Sequence, residues 1–202
     1  MSDTQSPESF SVRKTIREAG EFVFELAKVV LISLAIILPI RYYLVQPFYV
    51  KGASMEPTFL DREYLLIDEI SYRFAPPARG DVVVFRYPKD PSQFFIKRVV
   101  GLPGDNVQVK NGTITVKDSV HPTGITLDET YLPANLKTSG DLDITVPEGS
   151  YFLLGDNRPA SLDSRIFGTV SSSYLIGRVW LRAWPFSRWT VFPEGGAFVP
   201  AI

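Results

Sequence analysis

A series of short apolar runs after residue 60 limits the folds open to this chain. They are rich in β-branched and aromatic residues and are separated by Gly, Pro and Asp, which is typical of strands and turns. The runs are EYLLIDEI, GDVVVFRYP, FFIKRVVGLPGD, NVQVKNGTITVK, SYFLLGDN and LIGRVWLRAWP. Asn111-Gly112 between VQVK and TITVK predicts a two-residue hairpin turn. Because no helical period of useful length appears here, we predict a mainly β protein with an all-β, barrel-like or sandwich domain over residues 46–202. The less patterned region around 106–150 is expected to be a smaller, looser β excursion.

The N-terminal part of the chain has a different character. Residues 1–20 are polar and contain Ser and Pro, which predicts a disordered head. Residues 22–45 are predominantly apolar and would reach about 36 Å as a helix, enough to cross a bilayer with some tilt. The uncharged core, residues 29–40, is short enough to be a buried helix instead. We predict a single transmembrane anchor over residues 21–45, with the lipid bilayer as a partner.

A cleavable signal peptide is the main alternative to a retained anchor. The bulky RYYLVQPFYV that follows the apolar run lacks a small-x-small cleavage site, which favours retention. Arg13, Lys14 and Arg17 precede the segment, whereas Lys51 and Arg62 follow it. The larger number of cations on the N-terminal side predicts a cytoplasmic N-terminus.

Composition excludes several classes of function. The net charge of −1 and the absence of a basic stripe argue against a nucleic-acid partner. The chain has no cysteine, so disulfides and thiolate nucleophiles are excluded. His121 is the only histidine, so a zinc site would need carboxylates for nearly every ligand, and we expect no metal and no cofactor. A Ser-His-Asp triad would depend on His121 in the turn-like SVHPTG.

The segment KGASMEPTF places Ser54 shortly after the apolar run and raises the question of a nucleophilic serine. A serine hydroxyl needs a neighbouring base to take its proton. The segment is not the G-x-S-x-G elbow, because Glu56 replaces the second glycine, and it is not S-x-x-K, because Pro57 occupies the lysine position. With histidine nearly excluded, the base must be a carboxylate or a lysine.

The run FFIKRVV offers a suitable lysine. In a strand, Lys97 shares a face with Phe95 and Val99, and apolar neighbours lower the pKa of an amine by removing water from it. Arg98 cannot serve, because a guanidinium stays protonated. The alternative is an edge strand on which Lys97 is solvated, as most lysines are.

Four motifs, in order after the apolar segment, resemble those of the type I signal peptidases: GASMEPTF, RGDVVVFRYP, FFIKRVVGLPGD and LGDNRPASLDSRIFG. The resemblance extends from the apolar segment to GRVWLRAWP, nearly the whole chain. It implies a membrane-anchored serine endopeptidase that cleaves signal peptides from exported pre-proteins through a Ser/Lys dyad and an acyl-enzyme. It further implies cleavage after small residues at positions −1 and −3, at the outer face of the bacterial cytoplasmic membrane.

The resemblance also assigns roles to individual residues. Ser54 matches the family's nucleophile, Lys97 its general base, and Ser161 the serine that hydrogen-bonds and orients the lysine. Gly52 stands where some members carry a serine that helps hold the oxyanion. The oxyanion hole is therefore expected to rest mainly on backbone N–H groups, including that of Ser54. Five charged residues are expected to tie the strands around the site: Arg98, Asp156, Arg158, Asp163 and Arg165.

Three other interpretations compete with a bacterial signal peptidase. An anchored β domain that binds an envelope partner without catalysis fits the composition and the strand pattern equally well, and only the motif set speaks against it. A self-cleaving Ser/Lys repressor-type protease would lack the anchor and carry a DNA-binding helical module. A mitochondrial inner-membrane peptidase is disfavoured by the absence of a clear Arg-rich transit peptide.

Overall fold

The computed structural model describes residues 7–43 and 45–193, and the chain divides into two compact units, 1–44 and 45–202. The first unit contains one helix, α1 (Pro7–Tyr43). Residues 7–20 are therefore helical, in contrast to the disordered head predicted for 1–20, of which 1–6 lie outside the described residues. Extending an existing helix avoids the cost of a new nucleus, and Arg17 pairs with Glu21 one turn later at 3.3 Å.

The described side chains of α1, residues 17–38, are exposed. Glu25 and Lys28 form an i,i+3 ion pair at 2.8 Å, and Glu21 lies one turn before them. Among the described residues, no helix has the combination of length and apolar character needed to cross a membrane. The predicted transmembrane span over 21–45 is therefore not confirmed.

The second unit confirms the prediction of a mainly β domain. All the pairings between the described strands are antiparallel. The strands of the described residues are β1 (Val45–Tyr49), β2 (Tyr64–Asp68), β3 (Val82–Tyr87), β4 (Asp90–Gly101), β5 (Asn106–Lys110), β6 (Thr113–Lys117), β7 (Ile125–Thr126), β8 (Leu142–Thr145), β9 (Ser150–Leu154), β10 (Val170–Ser171), β11 (Leu175–Trp184) and β12 (Thr190–Val191). The six apolar runs contain all or most of seven of these strands, β2, β3, β4, β5, β6, β9 and β11.

The strands form two sheets. The larger has the order β1-β2-β11-β3-β4-β9-β10, with β12 paired to β11, and the smaller has the order β7-β6-β5-β8. The connections contain a short helix and four 3-10 turns: α2 (Ser164–Phe167), Ser71–Arg73, Arg158–Ala160, Ser172–Tyr174 and Phe186–Arg188.

The smaller sheet occupies the region that was predicted to be a looser excursion, and it is an ordered structure. Asn111 and Gly112 connect β5 to β6 with φ values of 53° and 84°, the positive values that a two-residue hairpin turn needs. Alternate residues of both strands are buried in one apolar cluster with Phe152 and Leu154 of β9. Burial of one face explains why the region is ordered despite its Gly- and Ser-containing loops.

A second apolar cluster positions the loop between β1 and β2, which carries Ser54. Met55 and Phe59 are fully buried against β2 and β3 residues that include Ile67 and Val84. Since these two side chains stand one and five positions after Ser54, core packing determines where the serine lies.

Candidate active site

The loop between β1 and β2 presents Ser54 at the surface of the domain. Two backbone hydrogen bonds join the ends of this loop. The Val50 N–H donates to the Glu63 carbonyl at 2.9 Å, and the Arg62 N–H donates to the Val50 carbonyl at 3.0 Å. Within it, the Phe59 N–H donates to the Met55 carbonyl at 2.9 Å. Ser54 itself is half-buried. The loop is thus a closed, internally bonded unit in which Ser54 has little freedom.

The structure brings Lys97 and Ser54 together. Lys97 lies on β4, and its Nζ is 2.7 Å from Ser54 Oγ and 2.8 Å from the Ile96 carbonyl oxygen. Lys97 is only 3% exposed, so the alternative of a solvated edge lysine is wrong. Burial lowers the pKa of the amine from its ordinary 10.5 to about 8, against the opposing effect of the Asp163 and Asp156 carboxylates.

The backbone around Ser54 offers a donor for an oxyanion. In the described part of the chain, the Ser54 N–H has no hydrogen-bond partner. The Gly52 N–H, by contrast, donates to Asp61 Oδ1 at 2.8 Å and is not free. Gly52 has a φ of 89°, a left-handed conformation that favours glycine.

Sequence reasoning missed the contribution of Asn157, although this residue lies inside one of the quoted motifs. Its Nδ2 donates to the Ala53 carbonyl at 2.9 Å, and its backbone N–H donates to the Ser54 carbonyl at 3.1 Å. The Ala53 carbonyl and the Ser54 N–H belong to one planar trans peptide and point in opposite directions. Asn157 therefore also sets the direction of the Ser54 N–H.

Ser161 differs from the expectation. It is 8% exposed, and among the described residues its Oγ has no hydrogen-bond partner, so the expected bond to Lys97 is not made. The hydroxyl packs instead over Gly155, where an added Cβ would collide with Ser161 Oγ and come within 2.5 Å of the Ser54 carbonyl oxygen. Lys97 Nζ instead contacts Ser54 Oγ and the Ile96 carbonyl oxygen.

Arg98 and Asp156 form a buried bidentate pair beside the loop. Arg98 Nε donates to Oδ1 of Asp156 at 2.9 Å, and Nη2 donates to Oδ2 at 2.7 Å. The same carboxylate accepts a 2.6 Å hydrogen bond from Thr58 Oγ1. The Asp156 carboxylate thus links β4 to the Ser54 loop, and removal of Arg98 would leave it as an uncompensated buried charge.

A second ion pair closes the other side of the site. Asp163 is fully buried and accepts two 2.8 Å hydrogen bonds from the Arg165 guanidinium and a 3.1 Å bond from the Gly155 N–H. Arg165 also donates to the Arg158 carbonyl at 2.6 Å, while the Arg158 guanidinium pairs with Glu129 at 2.5 Å. All five charged residues expected near the site are therefore connected in space.

Ser54 and Lys97 lie in a cleft of about 780 Å³ whose walls are largely apolar. Phe48 of β1 and Phe94 of β4 contact each other edge to face across 5.6 Å, and Leu162 also lines the cleft. Among the described residues, no group of three or more acidic or histidine side chains is placed to hold a metal ion. A serine held against a buried lysine in a peptide-sized cleft is the arrangement of a serine peptidase that works without histidine.

Comparison with known proteins identifies the particular family. Among solved structures, the chain is similar to a signal peptidase I from Enterococcus faecalis V583, at 34% identity over 52% of this chain and 97% of that one, with a TM-score of 0.44. It is 34% identical over 189 residues to signal peptidase IB of Staphylococcus aureus strain Mu50, which covers 85% of this chain and 93% of that protein. It is also 34% identical over 190 residues to a probable signal peptidase I-1 of Synechocystis sp., covering 90% and 92%.

The sequence model of the family described as signal peptidase, peptidase S26, matches residues 23–184. The chain therefore belongs to the peptidase S26 family, and it is a serine protease of the bacterial type I signal peptidase kind. The interpretation as a non-catalytic binding domain is accordingly set aside.

Proposed function

We propose that this chain removes signal peptides from exported pre-proteins with Ser54 as nucleophile and Lys97 as general base. The observation that carries the proposal is the 2.7 Å distance between Lys97 Nζ and Ser54 Oγ inside the domain. Burial lowers the pKa of Lys97 to about 8, so an appreciable fraction of the amine is neutral near neutral pH. A neutral amine has the lone pair that a general base requires.

The reaction is acyl transfer in two halves. Neutral Lys97 takes the proton of Ser54 as Oγ bonds to the scissile carbonyl carbon, and the Ser54 N–H donates to the oxyanion. The carbon–nitrogen bond then breaks, and the ammonium gives its proton to the leaving amine, which is the new N-terminus of the mature protein. In the second half Lys97, neutral again, takes a proton from water as the water oxygen bonds to the ester carbon. The bond from that carbon to Ser54 Oγ then breaks, Lys97 returns the proton to Oγ, and the signal peptide leaves with a new C-terminal carboxyl group.

We infer that the substrate binds as an extended strand along the cleft side of β4. Residues 94–97 of β4 pair with β3 on one side, whereas the pairing with β9 begins only at Arg98. Main-chain hydrogen bonds to the remaining edge give affinity without demanding a particular sequence. Selectivity for small residues at −1 and −3 then comes from the apolar walls of the cleft, because alternate side chains of a strand point the same way.

Cleavage of a pre-protein with Ala at −1 and −3 tests this function, with N-terminal sequencing of the product. We expect replacement of the −1 Ala by Trp to slow cleavage by at least ~10-fold, because the side chain must enter the pocket. The same replacement at −2, which points away from the pocket, is the control and should have a smaller effect. Equal cleavage of both variants, or no cleavage of the parent, would overturn the proposal.

The pH dependence of kcat/KM is a direct test of the base. Since the amine must be neutral to act, kcat/KM should rise about 10-fold per pH unit below the pKa of Lys97 and level off above it. With that pKa lowered to about 8 by burial, the limb should bend near pH 8, whereas an ordinary lysine would place the bend near 10.5. A rate that stays flat from pH 5 to 9 would contradict a lysine base.

We further propose that the β domain works on the outer side of the bacterial cytoplasmic membrane, with α1 as its attachment to lipid. Exposed apolar side chains along α1, among them Phe22, Leu31 and Ile37, support attachment to lipid. Attachment would concentrate the enzyme in the plane where the apolar segments of its substrates lie. We expect the protein to stay in the membrane fraction after an alkaline wash. Recovery of the protein in the supernatant would exclude this attachment.

A further inference from the structure

A buried charge cluster lies at the end of the Ser54 loop and has no part in the proton transfers described above. Glu63 precedes β2 and is 2% exposed. Its carboxylate lies 3.0 Å from Arg182 Nε of β11 and 2.6 Å from Arg188 Nη1 in the following 3-10 turn. The carboxylate is hydrogen-bonded to Arg188, and with Arg182 it forms an ion pair whose Nε–Oε2 contact lacks hydrogen-bond geometry. One carboxylate therefore neutralises two guanidinium groups that come from a distant part of the chain.

Both guanidinium groups also contact the backbone of the Ser54 loop. Arg188 Nη2 donates to the Pro57 carbonyl at 3.2 Å and to the Thr58 carbonyl at 3.4 Å. Arg182 Nη2 donates to the Thr58 carbonyl as well, and its guanidinium stands 5.1 Å from the centre of the Phe59 ring. The cluster thus contacts the loop at the positions three to five residues after Ser54.

Thr58 is held at both ends by this arrangement. Its side-chain oxygen donates to Asp156, which is paired with Arg98, while its carbonyl accepts from the two arginines. One residue further on, the Phe59 N–H bonds to the Met55 carbonyl, next to Ser54. A displacement of the Thr58 backbone would therefore be passed to Ser54 through a single short turn.

The negative charge of Glu63 allows Arg182 and Arg188 to donate to the same carbonyl, that of Thr58. Burial and the neighbouring Arg188 both lower the pKa of Arg182, and the Glu63 carboxylate opposes them. Without the carboxylate, two partly desolvated like charges would repel each other and separate. The planar guanidinium fork, which can bond a carboxylate and a carbonyl at once, is needed for this geometry.

We propose that Glu63, Arg182 and Arg188 are positioning residues that hold the Thr58 backbone, and through it Ser54 Oγ, at bonding distance from Lys97. This inference rests on the proposed Ser/Lys mechanism. It concerns the alignment of the nucleophile and not substrate binding, since none of the three residues lines the cleft. Loss of the cluster should therefore reduce kcat and leave KM nearly unchanged.

Glu63→Gln, which is nearly isosteric and removes only the charge, is the principal test. A misplacement of about 1 Å costs up to ~100-fold in rate, so we expect kcat to fall by roughly 10- to 100-fold at a temperature where the variant is folded. Asp105→Asn is the matched control. Asp105 is also a buried carboxylate, 4% exposed, that pairs with an arginine, Arg79, at 2.9 Å, but it belongs to the turn between β4 and β5. The Asp105→Asn variant should be less stable than the wild type, with kcat unchanged.

Arg188→Lys provides a second variant in case Glu63→Gln does not fold. The Arg188 side chain is 31% exposed, so the domain should tolerate the change, while the forked contacts to Glu63 and the two carbonyls are lost. We expect kcat to fall several-fold with KM unchanged. A rise in KM with kcat unchanged would overturn the inference. So would a loss of kcat no greater than that of Asp105→Asn.

Hydrogen exchange supplies a readout that does not depend on peptidase activity. The Phe59 amide should exchange faster in Glu63→Gln or Arg188→Lys, because its bond to the Met55 carbonyl opens more often, and it should be unchanged in Asp105→Asn. Unchanged exchange in all three variants would overturn the positioning role. A wild-type protein that cleaves no pre-protein would instead overturn the proposed function, which keeps the two failures distinct.

Discussion

Ser54→Ala is expected to reduce pre-protein cleavage by on the order of 10⁶-fold, the cost of removing the nucleophile from a serine protease. The variant loses only Oγ, and the buried neighbours Met55 and Phe59, which position the loop, are untouched. Folding should therefore be normal, and the oxyanion donor on the Ser54 backbone should remain. Single-turnover cleavage with excess enzyme measures the chemical step free of product release.

Lys110→Ala is the control for that experiment. Lys110 is exposed at the end of β5, next to the Asn111-Gly112 turn of the smaller sheet. Removing it changes the net charge of the protein without touching the cleft, so the cleavage rate should be that of the wild type. A Ser54→Ala protein that cleaves at a comparable rate would show that another group attacks the carbonyl.

Lys97→Met is expected to abolish cleavage and at the same time to stabilise the fold. The pKa of Lys97 is lowered from 10.5 to about 8 by burial. At any pH below 8 both the folded and the unfolded chain carry the proton, and the folded state bears the full cost of a buried ammonium, about 3 kcal/mol. Methionine of similar length has no such cost. After subtraction of about 1 kcal/mol for each of the two lost hydrogen bonds, to Ser54 and Ile96, the net gain should be about 1 kcal/mol at pH 7.

The sign of the pH dependence distinguishes this explanation from a simple packing effect. Between pH 8 and 10.5 the unfolded wild type retains a proton that the folded protein has released, so the wild-type free energy of unfolding should rise with pH relative to Lys97→Met. The advantage of the variant should therefore shrink over that window. Urea denaturation of both proteins at pH 7, 8, 9 and 10 measures it, and a variant that is less stable at pH 7 with a parallel pH profile would contradict a depressed lysine pKa.

Local chemistry made part of the fold and site predictable. The Asn111-Gly112 turn was predictable because its positive φ values are a property of those two residue types. The apolar residues around Lys97 on β4 made its desolvation one of two interpretations, beside a solvated edge lysine, and the four motifs in order indicated the family. The helical extent of residues 7–20 was not predicted, because composition does not show that a polar segment continues an adjacent helix.

Contacts between distant parts of the chain could not be predicted from the sequence. Asn157 bonds the Ala53 carbonyl, and Arg188 bonds Glu63, across separations of 104 and 125 residues. No local pattern encodes such pairings, since they exist only when β9 and β11 bring their following loops to the same place. The prediction of a hydrogen bond between Ser161 and Lys97 was wrong for the same reason. The identities of the residues do not show which of two nearby hydroxyl groups the amine contacts.

The β domain and the short list of candidate bases for Ser54, a carboxylate or a lysine, could be read from the sequence, because strand patterns, turn chemistry and composition are local properties. The burial of Lys97, the distance between Ser54 Oγ and Lys97 Nζ, the Ser54 N–H that has no partner among the described residues, and the buried charges around the loop are known only from the folded structure. Those quantities depend on distances between strands that meet only after the sheet has formed.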